Sequence, residues 1–93
     1  MTEKRLRILV IDDEPQIRKL LKVSLQAHGY QIIEAKNGWE GIQQAAGFKP
    51  DLTIVDLGLP DMDGKEVVQQ IREWSTMPII ILTARDQEQE KIA

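Results

Sequence analysis

The residues with the most chemistry in this 93-residue chain stand where its apolar runs end. Asp12-Asp13-Glu14 follows Leu6 to Ile11, Glu34 falls near the end of Tyr30 to Ala35, Asp56 closes Leu52 to Val55, and Thr83 follows Ile79 to Leu82. A carboxylate can ligate a hard cation, take up a proton or attack an electrophilic centre; a hydroxyl can donate to an anion. One Asp after a strand is ordinarily a turn or cap residue. Three acids after one run, with a further Asp after another, form a pattern that capping alone does not explain.

The elements that must position these residues alternate strictly. Leu6 to Ile11 is a short β-branched run and reads as a buried strand. Pro15 suits the first turn of a helix, where its missing N–H costs nothing. Ile17, Leu20, Leu21, Ser24 and Leu25 then mark one helical face, and His28-Gly29 ends it. Tyr30 to Ala35 is a second strand. Trp39, Ile42, Ala45 and Ala46 mark a second helix, broken at Lys49-Pro50-Asp51. Leu52 to Val55 is a third strand, followed by a loop with Gly58, Pro60 and Gly64. Val67, Val68, Ile71 and Trp74 define a third helix, and Pro78 to Leu82 a fourth strand; Asp86 would cap a fourth helix. The order βαβαβαβ implies a parallel sheet covered by helices on both faces.

In open sheets of this kind, ligands bind outside the carboxyl ends of the strands, where the strand order reverses. With the doubly wound order 2-1-3-4-5, the first and third strands are neighbours, and Asp12, Asp13 and Asp56 meet. Two like charges about 4 Å apart at an effective dielectric of about 20 repel by roughly 4 kcal/mol. Either a carboxyl group protonates or a cation sits among them. All-oxygen donors suit Mg²⁺, and a soft metal would want Cys or His. The constellation of Asp nucleophile, metal and nearby hydroxyl is that of a phosphoryl-transfer centre.

Composition narrows the alternatives. With 12 Lys+Arg against 15 Asp+Glu, the net charge is -3, which argues against a nucleic-acid-binding surface. No Cys and one His exclude disulfide frameworks and zinc sites built on those ligands. No run is long enough to span a membrane and no signal core follows the polar N-terminus, so a cytoplasmic protein without membrane contact is expected. Neither G-x-G-x-x-G nor G-x-x-x-x-G-K-[ST] occurs. His28 reads as a solvated or capping residue, Trp39 and Trp74 as packing residues, and Asp61 and Asp63 as turn and cap residues.

Three segments then carry a family resemblance. Ile8-Leu9-Val10-Ile11-Asp12-Asp13-Glu14, the stretch from Asp51 through Asp56-Leu57-Gly58-Leu59-Pro60 to Gly64, and Pro78 to Arg85 resemble, in order and spacing, the receiver domain of two-component response regulators. Asp56-Leu57-Gly58-Leu59-Pro60 together with Arg72-Glu73-Trp74-Ser75-Thr76-Met77-Pro78 is similar to the KdpE type within the OmpR/PhoB group. The resemblance implies a flavodoxin-like (CheY-like) α/β fold, with Asp56 as the phosphoacceptor and a sensor histidine kinase as partner. It implies Mg²⁺ held directly by Asp13 and Asp56, by Asp12 through a water, and by the backbone carbonyl of Gly58. Thr83 would be the switch hydroxyl, with the small Ala84 beside the phosphoryl group. Gly58 and Arg85 occupy positions that tune phosphoryl lifetime in the family. DNA contact would belong to a C-terminal effector domain absent here, and in the KdpE type the output is potassium-transport genes.

The chain departs from the family pattern after Thr83. Residues 1–93 read as one receiver domain lacking strand 5, helix 5 and the Lys that pairs with the phosphate. Lys91 has no strand before it and no Pro after it, and it is not assigned that role. Metal binding is expected to survive and phosphorylation to be slow or labile, with signal transmission lost. An uncovered fourth strand would expose Ile79 to Leu82, so a homodimer through that edge, a swap or aggregation is expected. Two other functions compete. A Mg²⁺-dependent phosphohydrolase with an Asp nucleophile would want Asp-x-Asp after the first strand. A pseudo-receiver interaction module would usually have a broken acidic site.

Overall fold

The computed structural model describes residues 5–82. Its elements run β1 (Arg7–Ile11), α1 (Pro15–Gln26), β2 (Gln31–Ala35), α2 (Gly38–Phe48), β3 (Leu52–Asp56), α3 (Gly64–Arg72) and β4 (Ile79–Leu82). The strands form one parallel sheet in the order β2-β1-β3-β4. This is the flavodoxin-like arrangement expected from the alternation of elements. The fourth helix expected after Asp86 lies outside the described residues.

Strand alternation divides the core between the two faces of the sheet. Leu9, Ile11 and Val55 pack with Ala35, Ala45, Val67 and Ile71 in one cluster, which α2 and α3 cover. Ile8, Val10 and Ile54 form the other, against Leu21, Leu25 and Tyr30 on the α1 side. The two faces are unequally covered. α1 contains no buried residue; Ile17, Leu21 and Leu25 are half-buried, whereas Leu20 is 62% exposed and Ser24 is exposed. The periodic face read from the sequence therefore holds only in part, because α1 sits against the sheet along a narrow line.

On α2 the inward side is Gly38, Gly41, Ile42 and Ala45, and the expected packing residue Trp39 is 57% exposed. Small residues face the sheet there because the helix approaches it closely. A Cβ on Gly41 would fall on the Cδ1 of Ile11. Trp74 is likewise not a core residue: α3 stops at Arg72, and the ring beyond it is 48% exposed. Gly29 ends the α1 turn at φ 93°, as expected of a left-handed glycine. Lys49 adopts the same region (φ 51°) as the cap of α2.

Helix capping fastens the loops to the sheet. Asp63 caps α3 through Lys65 N–H at 2.9 Å, and Asn37 caps α2 through Glu40 N–H at 2.8 Å. Asp61 acts at longer range than a local turn residue. Its two carboxylate oxygens accept from Gly38 N–H (2.8 Å) and Trp39 N–H (2.9 Å), pinning the β3–α3 loop to the start of α2.

The tight α2–β1 contact gives a direct test. Gly41→Ala is expected to lower stability by about 1–3 kcal/mol through overpacking against Ile11, despite the better helix propensity of Ala. Urea unfolding checks this, and an unchanged midpoint would contradict the close approach.

Candidate acidic site at the carboxyl ends of β1 and β3

β1 and β3 are neighbours in parallel register, Ile11 opposite Val55, so the residues that follow them emerge side by side. Asp12 leaves β1, and Asp56 is the last residue of β3. Asp12, Asp13 and Asp56 each offer a carboxylate oxygen, and these oxygens lie within 4.8 Å of one another. The juxtaposition expected from the strand order is thus present. Asp12 is 3% exposed and Asp56 6%, whereas Asp13 faces solvent. Two buried acids and one accessible acid leave a cation an open approach from one side.

The local backbone explains how the acids are held. Glu14 N–H donates to Asp12 Oδ1 at 2.9 Å, an interaction across one residue that turns the chain into α1. Asp12 N–H donates to the carbonyl of Ala35 at 3.1 Å and so keeps the end of β1 on β2. On the other side, Gly64 lies against the backbone of Asp56. A Cβ there would sit 2.6 Å from the Asp56 carbonyl oxygen and 2.8 Å from Leu57 Cα. Only a glycine lets α3 start this close to the end of β3. Gly64 N–H also donates to the Leu57 carbonyl at 3.1 Å.

Burial pushes the Asp12 carboxyl above its ordinary range, and the charges of Asp56, Asp13 and Glu14 push the same way, against the Glu14 N–H, which lowers it. At Asp61, burial also raises the carboxyl. The N–H groups of Trp39, Gly38, Asp61 and Met62 outweigh it and leave the group below its ordinary range. Both directions fit the geometry: a crowded carboxylate is disfavoured and a capping carboxylate is favoured.

The donor set is oxygen throughout, and the single His is exposed, with Nδ1 3.0 Å from the Ser24 carbonyl oxygen. Hard, oxygen-rich ligation of Mg²⁺ fits these residues, since Mg²⁺ needs only one or two carboxylates and keeps its waters. Beside the acids is a cleft of about 220 Å³, walled by Ile17, Leu20, Leu21 and Leu82.

The remaining expected residues fall as follows. Gly58 is exposed in the β3–α3 loop. Thr83 lies outside the described residues; the residue before it, Leu82, is in register with Asp56. Ala84, Arg85 and Lys91 also lie outside them. Glu34, next to the end of β2, is not among the three clustered acids and pairs with Arg18 at 3.2 Å and Lys22 at 3.4 Å. Sequence reasoning missed Arg18, whose Nη1 donates to the Asp12 carbonyl at 2.7 Å. The available signal was its place on α1 one turn after Glu14, on the side of the helix that faces the acids.

The Asp12 environment fixes a sign for pH dependence. A carboxyl raised on folding favours the protonated folded state, so its ionisation removes stability as pH rises from the ordinary Asp value through the folded one. Asp12→Asn, which keeps the oxygen that accepts from Glu14, is expected to raise the Tm of the metal-free protein at pH 7. One like-charge pair at about 4 Å accounts for roughly 1–4 kcal/mol between dielectrics of 80 and 20. Thermal unfolding from pH 7 down to pH 4 should show this advantage shrinking; a pH-independent difference would contradict the repulsion.

Residues 8–93 match the family model for the response regulator receiver domain. The chain is 45% identical over 86 residues to the KDP operon transcriptional regulatory protein KdpE of Escherichia coli, covering 92% of this chain and 38% of that protein. It is 47% identical over 85 residues to the transcriptional regulatory protein KdpE of Mycobacterium tuberculosis, again covering 38% of the relative. The chain therefore spans well under half the length of these relatives. Among solved structures it resembles the response regulator TrrA of Thermotoga maritima, determined in complex with Mg²⁺-BeF. That match has a TM-score of 0.73 and 33% identity, and covers 94% of this chain and 96% of that one. It also resembles the chemotaxis response regulator CheY4 of Vibrio cholerae, with a TM-score of 0.82, 30% identity and coverage of 94% and 78%. With its acids gathered at the switch point of a 2-1-3-4 sheet and the family model spanning all but its first seven residues, the chain belongs to the response regulator receiver domain family.

Proposed function

We propose that this chain is a phosphoacceptor that takes a phosphoryl group from the phosphohistidine of a sensor histidine kinase onto Asp56, with Mg²⁺. The observation that carries this reading is the meeting of Asp12, Asp13 and Asp56 within 4.8 Å, with Asp56 alone contributed by β3. A carboxylate oxygen of Asp56 attacks phosphorus in line with the departing imidazole. The P–N bond breaks, its electron pair stays on the ring nitrogen, and an acyl phosphate remains on Asp56. Mg²⁺, when bound, would neutralise charge on the incoming phosphoryl oxygens. Asp13 and Asp56 would ligate it directly, Asp12 through a water, and Gly58 through its carbonyl. Thr83 would donate its hydroxyl to the phosphoryl group.

The product changes charge and acceptor count at the end of β3, and a response regulator reads such a change as a shift between pre-existing conformations. The names of the KdpE relatives, one of them a KDP operon transcriptional regulatory protein, support control of transcription. Potassium-transport genes as the output and DNA contact through an effector domain are what the KdpE-type resemblance adds to this reading. We assign residues 1–93 to one receiver unit acting in the cytoplasm, and its only chemistry is its own phosphorylation and dephosphorylation. No helix among the described residues is long and apolar enough to cross a membrane. The intact set of acids favours this reading over a pseudo-receiver. Asp12-Asp13-Glu14, which lacks Asp-x-Asp, favours it over a phosphohydrolase.

Self-association of the 93-residue chain through β4 belongs to the same proposal. Among the described residues β4 pairs only with β3, and Ile80 and Ile81 are 50% and 41% exposed.

Three measurements check these statements. Intact mass after incubation with Mg²⁺ and acetyl phosphate should show one phosphoryl adduct that Asp56→Ala abolishes; an adduct surviving in the variant would place the acceptor elsewhere. Mg²⁺ at 100 times its Kd should stabilise the protein by about 2.7 kcal/mol, seen as a higher Tm, and Asp13→Ala should lose most of that response. Light scattering at high concentration should report a dimer or larger species, and a clean monomer would contradict pairing through β4.

A further inference from the structure

Arg18 connects the acidic cluster to the sheet and helix that surround it. Its side chain, carried by α1, is 17% exposed. Nη1 donates to the main-chain carbonyl of Asp12 at 2.7 Å, and Nε donates to Glu34 Oε1 at 3.2 Å. Glu34 belongs to β2, in register with Val10 of β1, and its second carboxylate oxygen is 3.4 Å from Lys22 Nζ. One guanidinium thereby joins α1, the end of β1 and the end of β2.

The contact with Asp12 is to the peptide and not to the carboxylate. The Asp12 carbonyl belongs to the peptide that leads into Asp13, so its orientation sets the direction in which Asp13 leaves the strand. Asp12 N–H is already held by the Ala35 carbonyl at 3.1 Å. The segment is therefore gripped from β2 on one side and from Arg18 on the other. Glu34 in turn restricts Arg18, since a charge-assisted pair fixes the fork of a guanidinium better than one bond does.

The geometry points to Arg18 as a positioning residue that fixes the Asp12–Asp13 peptide and so presents both carboxylates beside Asp56. As a statement about metal binding, this rests on the reading of the cluster as a Mg²⁺ site. Two roles for Arg18 then differ in sign. A bystander guanidinium near the site repels Mg²⁺, and its removal tightens binding. A guanidinium that holds the ligand-bearing peptide has the opposite effect, because its loss disorders the ligands. Outer partners of metal ligands typically affect affinity by about 10–100-fold.

The experiment uses the 93-residue protein with Arg18→Met and Arg18→Lys. Mg²⁺ affinity is measured by calorimetry well below each Tm, and amide hydrogen exchange is followed by NMR in the metal-free state. Arg18→Met should bind Mg²⁺ about 10–100-fold more weakly, with Arg18→Lys recovering part of the loss. Glu14 N–H, which donates to Asp12 Oδ1 at 2.9 Å, should exchange faster in Arg18→Met relative to the core amide of Leu9. Unchanged or tighter Mg²⁺ binding by Arg18→Met overturns the proposal. So does equal acceleration at Glu14 and Leu9, which would report only a less stable fold. Should the unsubstituted protein bind no Mg²⁺, the cation reading fails separately. The metal-free exchange then decides the positioning role: selective acceleration at Glu14 supports it, and its absence overturns it.

Discussion

Repulsion among Asp12, Asp13 and Asp56 is the constraint around which this structure is arranged. Carboxylate oxygens within 4.8 Å of one another, two of the three residues nearly inaccessible to water, bring like charges together, and burial with the neighbouring charges raises the Asp12 carboxyl. The rest of the fold supplies what holds them there. β1 and β3 are parallel neighbours with buried apolar runs, and their register sets the acids side by side. Gly64 lets α3 begin on the backbone of Asp56, and Arg18 and Ala35 grip the peptides on either side of Asp12. The proposed function gives this repulsion a use: a divalent cation held by these oxygens would offset it and let a charged phosphoryl group approach.

The loop between β3 and α3 shows how the frame is tied to the site. Asp61 reaches α2, Asp63 starts α3, and Gly64 touches Asp56. Met62 packs where a Cβ on Gly38 would lie, so the loop and the start of α2 fit each other through a missing side chain. The loop carrying Gly58 is thus anchored at its far end to two helices.

Much of this was legible in the sequence. The alternation of apolar runs with helical periodicity was enough to expect four parallel strands, and the strand order then brought together Asp12, Asp13 and Asp56. Tertiary packing decided what the sequence left open. Trp39 and Trp74 occupy helical apolar positions yet are about half exposed, because α2 meets the sheet through glycines and α3 ends before Trp74. Leu20 fits the α1 periodicity and still faces outward. Arg18 and Asp61 act over 6 to 23 positions of chain through main-chain partners; helical spacing from Glu14 was the one signal for Arg18, and no local pattern announces the bonds of Asp61. Thr83 was readable as a hydroxyl at the end of the fourth apolar run, its switch role came only through family resemblance, and the residue lies outside the described residues.

The measurement that bears most directly on the acidic cluster is chemical mapping of the acyl phosphate. The protein is treated with acetyl phosphate and Mg²⁺, reduced with borohydride, and digested for peptide sequencing by mass spectrometry. An aspartyl phosphate is converted to homoserine at the modified position. If Asp56 is the acceptor, homoserine appears at position 56, and it disappears when Mg²⁺ is replaced by a chelator. Homoserine at position 12 or 13, or at no position while phosphate is nonetheless incorporated, would contradict the assignment of Asp56 as the acceptor.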